Sequence, residues 1–171
     1  MESQTTSKTG SSRPARHALR WVLALLVLSL ALGPVVIALP LGQNGVTVRI
    51  APATVSLDPG QEATLSVVVE NVTALYGIQF QLSFDPAIIE VQDDDPFAEG
   101  VQISTGPFLS SGFCGLNRTS NISGTIEYAY TQVMASAVNG SGAVATFRVK
   151  GIGGGASSIH FDLLLLLDPE L

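Results

Sequence analysis

From Val46 onward, hydrophobic and polar residues alternate with a period of two, which is typical of strands that bury one face. In the clearest run, four apolar side chains point the same way: Ile78, Phe80, Leu82 and Phe84. The other alternating runs cover residues 46–50, 63–70, 126–131 and 143–150. Clusters of Asp, Asn, Gly and Pro between the runs indicate turns, and the only helical feature is a short turn near residues 86–90. The pattern predicts an all-β fold in which two antiparallel sheets pack as a sandwich.

The last run, residues 157–167, ends in five consecutive leucines, and four residues follow it. A run that is apolar on both faces indicates a strand that is covered on both sides. We therefore expect the body of the protein, residues 42–171, to lack its last strand. The uncovered leucines would then form an adhesive edge.

The N-terminal region indicates a targeting segment. Residues 1–20 are rich in Ser and Thr and carry four basic residues against one acidic residue, and the next 21 residues, Trp21 to Leu41, carry no charge. This predicts a signal peptide or a membrane-anchoring transmembrane helix ahead of the sandwich. Gly33-Pro34 favours the cleaved form, because proline breaks a helix. In both cases the body lies outside the cell, secreted or anchored, and contacts the membrane only through residues 21–41.

Charge and cysteine content exclude several classes of function. The net charge is −6, and residues 21–171 carry thirteen carboxylates against four basic residues. A body this acidic repels a phosphate backbone, so we expect no nucleic-acid partner. A single cysteine, Cys114, excludes an intrachain disulfide framework and a multi-cysteine zinc site.

No motif for catalysis is present. Cys114 lies in a loop-like stretch and His160 on the solvent face of the last strand, without the flanking signature of a nucleophile pair. Glu70, Glu90 and Glu127 lie on separate segments, so the sequence gives no reason for a hydrolytic carboxylate pair. We therefore predict that the protein is not an enzyme.

Two further features leave alternatives open. Asp93, Asp94 and Asp95 form the densest acidic cluster but lack the spacing of a calcium loop, so a solvated loop is favoured over a weak calcium site. Four Asn-x-Ser/Thr sequences begin at Asn71, Asn117, Asn121 and Asn139, and the sequence does not decide whether they are used.

The strand and turn motifs together resemble a cohesin domain over about residues 46–168. The most specific part is the run Phe-Asp-Pro-Ala-Ile-Ile-Glu-Val at residues 84–91, which directly follows the clearest alternating strand. The resemblance implies a nine-stranded jelly-roll sandwich that binds dockerins, small calcium-loaded helical modules on secreted enzymes. It therefore implies a role in assembling polysaccharide-degrading complexes. It also implies no cofactor on this chain, with calcium belonging to the dockerin.

A partner-binding face follows from the outward register of two strands. Gln79, Gln81, Glu127 and Thr131 point away from the core and form a rigid, mostly neutral surface that suits hydrogen-bonded recognition. Many cohesins carry Asn and Asp where this chain has Gly77 and Gln79, so the usual type I contact set is not preserved. The alternative is a carbohydrate-binding or adhesive sandwich that acts alone and contacts a polysaccharide directly.

Overall fold

The computed structural model describes residues 45–109 and 111–169. The predicted basic region (residues 1–20) and the predicted signal peptide or anchor (residues 21–41) lie outside the described residues. Within the described residues, no helix has the length and hydropathy needed to cross a membrane. Nine strands follow one another along this part of the chain: β1 (Thr47–Ala51), β2 (Glu62–Leu75), β3 (Gly77–Ser83), β4 (Ile89–Gln92), β5 (Ser104–Thr105), β6 (Gly112–Ser120), β7 (Thr125–Gln132), β8 (Val138–Gly151) and β9 (His160–Leu167).

The strands form two antiparallel sheets. The first sheet has the order β1-β2-β8-β4, with β5 also paired to β8, and the second has the order β6-β7-β3-β9. Every pairing between these strands is antiparallel. The predicted all-β class and the two antiparallel sheets are confirmed.

The core contains the apolar side chains that the alternation assigns to it. Ile78, Phe80, Leu82 and Phe84 are at most 7% exposed. The Phe80 ring stacks on Tyr128 of β7 with 5.2 Å between the ring centroids, and it meets Phe161 of β9 edge-on. Because alternate residues of a strand point to opposite sides, burying these four fixes which residues of β3 face outward.

The Phe-Asp-Pro motif builds the corner between the two sheets. Asp85 Oδ1 accepts a hydrogen bond from the backbone N–H of Ala87 at 2.9 Å, which fixes a turn over Pro86–Ile88 before β4 begins. This agrees with the short turn that the sequence predicts near residues 86–90. Gly124 packs against this corner with φ +69°, and a Cβ there would lie 2.1 Å from the Phe84 carbonyl oxygen. Only glycine fits that position.

The main difference from the sequence prediction is β6. Cys114 lies within this strand and not in a loop. A β-bulge between Cys114 and Leu116 shifts the register, so the period-two pattern is lost in the sequence although the strand pairs with β7 along its length. The strand reaches the same sheet as β3 and β9 and adds side chains to its outer face.

Strand β9 forms the edge of the second sheet. It begins at His160, three residues later than predicted, and Leu163, Leu164, Leu165 and Leu167 are between 36% and 47% exposed. The expected exposed leucines are therefore present. A missing last strand stays a prediction.

Candidate functional site

The outer face of the second sheet brings the four predicted partner-binding residues together. Gln81 of β3 lies directly opposite Glu127 of β7, and Gln79 lies two residues along the strand, opposite Ala129. Thr131 lies opposite Gly77 at the end of the same pair of strands. Since paired residues share one side of a sheet, these polar side chains form one continuous patch.

Apolar residues of both flanking strands extend this patch, and the sequence prediction missed them. On β9, Leu165 pairs with Gln79 and Leu163 with Gln81, so both leucines share the outer face with the amides. Leu167 pairs with Gly77 at the end of the strand. On β6, Phe113 pairs with Thr131 and is 63% exposed. Strict alternation within the leucine run could have shown that every second leucine faces outward.

Charged groups on this face lie toward one end and are paired. Arg118 of β6 binds the carboxylate of Glu127 through Nε and Nη2. Ser83 donates a hydrogen bond from its hydroxyl to Asp162 at 3.1 Å. Glu127 is therefore part of an ion pair with Arg118. The centre of the face combines neutral amides with leucine and alanine side chains.

The outer face of the first sheet is different, because it carries ion pairs across its strands. Arg49 binds Glu70 at 2.9 Å, and Lys150 lies 3.5 Å from Glu90. Arg148 binds both Glu62 and Asp94. A protein interface is typically depleted of charge at its centre and polar at its rim. In this respect the outer face of the second sheet resembles a protein interface more closely than that of the first sheet does.

The three carboxylates of the acidic cluster, Asp93–Asp95, accept hydrogen bonds that stabilise the loop in which they lie and its neighbours. Asp93 accepts hydrogen bonds from the backbone N–H groups of Gln102 and Asp95. Asp94 accepts from Arg148 and from the Ser104 hydroxyl. Asp95 caps the next turn through the N–H of Phe97. Within the described residues, no group of three or more metal-ligating side chains converges on one point.

Cys114 and His160 do not form a nucleophile pair. They lie on β6 and β9, the two edges of the four-stranded second sheet, so three strand spacings alone separate them by at least about 14 Å, and they are also offset along the strands. The Cys114 thiol donates to the Leu116 carbonyl at 3.4 Å, and burial raises the pKa of this thiol, which favours its protonated form. Burial also raises the pKa of Tyr128, whose hydroxyl lies 2.8 Å from that of Thr105.

An open groove of about 760 Å³ lies beside the end of β1. It is lined by aliphatic and small polar side chains, including Ile50, Leu57, Ile88, Ser157 and His160, and has no Phe, Tyr or Trp in its wall. Sugar-binding surfaces usually rely on aromatic rings for stacking. The groove therefore gives no specific support to direct glycan binding.

The fold is a β-sandwich of two antiparallel sheets. The sequence matches the cohesin domain family over residues 46–165, and the chain belongs to this family. The search of curated proteins finds no match.

Several solved cohesin structures share the fold. A type II cohesin domain from the cellulosome of Acetivibrio cellulolyticus is 19% identical, with a TM-score of 0.57 over 72% of this chain and 82% of that one. A non-cellulosomal cohesin from the archaeon Archaeoglobus fulgidus is 13% identical, with a TM-score of 0.56 over 73% and 79%. A cohesin in a type I cohesin–dockerin complex from Clostridium thermocellum is 16% identical, with a TM-score of 0.56 over 74% and 89%.

Proposed function

We propose that this chain is an extracellular, non-catalytic module that docks a dockerin-bearing partner through the outer face of its second sheet. Family membership supports dockerin binding, because solved relatives include complexes of cohesins with dockerins. The polypeptide ahead of β1 supports an outside location, since it combines a basic flank with 21 uncharged residues. Assembly of polysaccharide-degrading complexes is part of the same proposal.

The observation that carries the proposal is the composition of that face. Gln79 and Gln81 are half-buried between Leu163 and Leu165 on one side and Ala129 and Glu127 on the other. Such a surface offers apolar area for a helix and amide groups that fix its orientation. The charged pair of Arg118 and Glu127 lies beside Gln81, in the half of the face away from Gly77.

Partner choice is expected to differ from that of the common type I cohesins. Gly77 and Gln79 replace the Asn and Asp that the resemblance leads one to expect. A Cβ at position 77 would lie 2.8 Å from the backbone oxygen of Tyr130 and 3.0 Å from a methyl group of Leu167, so glycine is required here. We therefore expect the β9 leucines to contribute more to partner binding in this chain than hydrogen bonds from positions 77 and 79 do.

Binding to dockerins with three matched variants tests this proposal. Gln79→Ala should weaken binding of a calcium-loaded type I or type II dockerin on the order of tenfold, and Leu165→Lys should weaken it more, because it places a charge at the interface centre. Thr64→Ala, an exposed change on the first sheet, is the control. Isothermal titration calorimetry measures affinity, and thermal unfolding should shift little in all three.

Two outcomes would contradict the assignment. If Gln79→Ala and Leu165→Lys lower the melting temperature and leave dockerin affinity unchanged, these residues are structural. If the unaltered chain binds insoluble cellulose with no dockerin present and binds none of the dockerins, the stand-alone carbohydrate-binding alternative replaces the proposal.

A further inference from the structure

The four Asn-x-Ser/Thr sequences fall into two structural classes. Asn117 and Asn121 are only partly exposed and hold neighbouring segments by two hydrogen bonds each. Asn71 and Asn139 have exposed side chains near the end of the long pair β2–β8. The sequence alone makes these four positions equivalent, and the structure separates them.

At Asn117 and Asn121 the side-chain amide acts like a short piece of strand. Asn117 Oδ1 accepts from the N–H of Ile103 at 3.0 Å while its Nδ2 donates to the carbonyl of the same residue at 2.7 Å. Asn121 makes the same two bonds with Val91, at 2.8 and 2.9 Å. Thr119, whose hydroxyl completes the Asn117 sequence, is 8% exposed. A sugar on either nitrogen would displace a packed segment.

At Asn71 and Asn139 the amide nitrogen makes no hydrogen bond to any described residue. Asn71 lies at a bulge of β2 with φ +57°, and its backbone N–H donates to Ser141 Oγ at 3.0 Å. Asn139 uses only its oxygen, which accepts from the N–H of Ala74 at 2.9 Å. Thr73 and Ser141, which complete the two sequences, are both exposed. Both nitrogens can therefore carry a substituent without losing a native contact.

We propose that Asn71 and Asn139 are sites of N-linked glycosylation and that Asn117 and Asn121 are not. The donor is an oligosaccharide linked to a polyprenyl diphosphate. The amide Nδ2 forms a bond to C1 of the first sugar and gives up one proton, while the bond from C1 to the diphosphate oxygen breaks and the lipid diphosphate leaves. This inference rests on the proposed extracellular location, where such enzymes act.

The position of the two sites is compatible with docking. Asn71 and Asn139 lie on adjacent strands of the first sheet, where Val72 pairs with Gly140. The proposed recognition surface belongs to the second sheet. The two attachment points therefore lie on a different sheet from Gln79 and Gln81.

Transfer in vitro to the folded protein tests the assignment. The full chain, purified in mild detergent, is incubated with a single-subunit oligosaccharyltransferase that accepts plain Asn-x-Ser/Thr, together with its lipid-linked oligosaccharide. Four synthetic peptides, each spanning one of the four sequences, serve as references for intrinsic acceptor quality. Peptide mass spectrometry measures the rate at each asparagine. The ratio of folded-chain to peptide rate should be on the order of tenfold or more higher at Asn71 and Asn139, since the other two require local unfolding.

Equal ratios at all four positions, or faster modification of Asn117 or Asn121 in the folded chain, would overturn the inference. The double variant Asn71→Gln/Asn139→Gln should remain unmodified while it is folded. Dockerin affinity of the unmodified chain is measured separately. If the unmodified chain binds no dockerin but the rate ratios at the four asparagines are as predicted, only the proposed function is rejected.

Discussion

At the level of single residues, two asparagine amides attach segments that have little strand structure of their own. Val91 belongs to β4, which has four residues, and Ile103 directly precedes β5, which has two. Both segments lie at short strands of the first sheet, and both are fastened to β6 or to the turn after it by an Asn side chain that pairs with a backbone N–H and C=O. The amide supplies the pairing that a longer strand would otherwise provide.

Replacing one of these amides should therefore destabilise the fold. Asn121→Ala leaves the N–H and C=O of Val91 without their partner, and we expect the free energy of unfolding to fall by about 1–3 kcal/mol. Urea unfolding followed by far-ultraviolet circular dichroism measures the change. Thr73→Ala, an exposed control whose hydroxyl makes no hydrogen bond to a described residue, should stay within about 0.5 kcal/mol of the parent. Equal stabilities of the two variants would contradict the role given to Asn121.

Single-residue predictions from the sequence succeed where they depend only on local register. Gln79 and Gln81 face outward because Ile78, Phe80 and Leu82 are buried, and alternation alone requires this. The partner of Glu127 could not be predicted. That partner is Arg118 on the neighbouring strand β6. Predicting the contact would require recognising β6 and its bulge in the sequence.

At the level of elements, β3 shows most directly how one strand serves two purposes. Its inner residues fill the core, and its outer residues form the centre of the proposed recognition surface. Phe80 is 1% exposed and contacts two other aromatic rings, whereas Gln81, the next residue, reaches solvent. The same substitution should therefore destabilise the fold strongly at Phe80 and hardly at all at Gln81.

Phe80→Ala should lower the free energy of unfolding by about 3–5 kcal/mol, because it opens a cavity beneath Tyr128 and Phe161. Gln81→Ala should change it by less than about 0.5 kcal/mol. Urea titration of the two variants beside the parent gives both values. A comparable loss of stability for Gln81→Ala would mean that the outer face is structural, and a small loss for Phe80→Ala would mean that the core is not centred on β3.

Strands with regular alternation were predictable, and those with irregular sequence were not. The runs that became β3 and β7 were placed to within one residue at each end. The alternation predicted only the second half of β8, because Asn139-Gly140-Ser141-Gly142 looks like a turn and instead continues the strand beside the bulged end of β2. The leucine run predicted a strand but not its position in the sheet. An edge strand and a central strand can have the same local pattern and differ only in their neighbours.

For the whole molecule, the two outer faces differ in charge although both belong to antiparallel sheets. Among the described residues, the first sheet carries several cross-strand ion pairs, whereas the second carries the pair Arg118–Glu127 beside Gln81 and has neutral residues around Gln79. The sequence predicted the class of fold, because a period of two and frequent turns do not depend on strand order. The distribution of charge over the two faces depends on strand order, which brings β9 beside β3. Strand order could be obtained only from the structure and not from the local sequence pattern.

The neutral centre of the second sheet makes the salt dependence of docking a test of the whole arrangement. Salt screens interactions between exposed charges and has little effect on apolar contacts or amide hydrogen bonds. If a dockerin binds over Gln79, Gln81 and the β9 leucines, its affinity should change by less than about threefold between 50 and 500 mM NaCl, by calorimetry. Lys150→Ala, on the opposite face, should give the same curve. A loss of affinity on the order of tenfold or more, reduced by Lys150→Ala, would instead place the partner on the first sheet, whose charges are the ones that salt would screen.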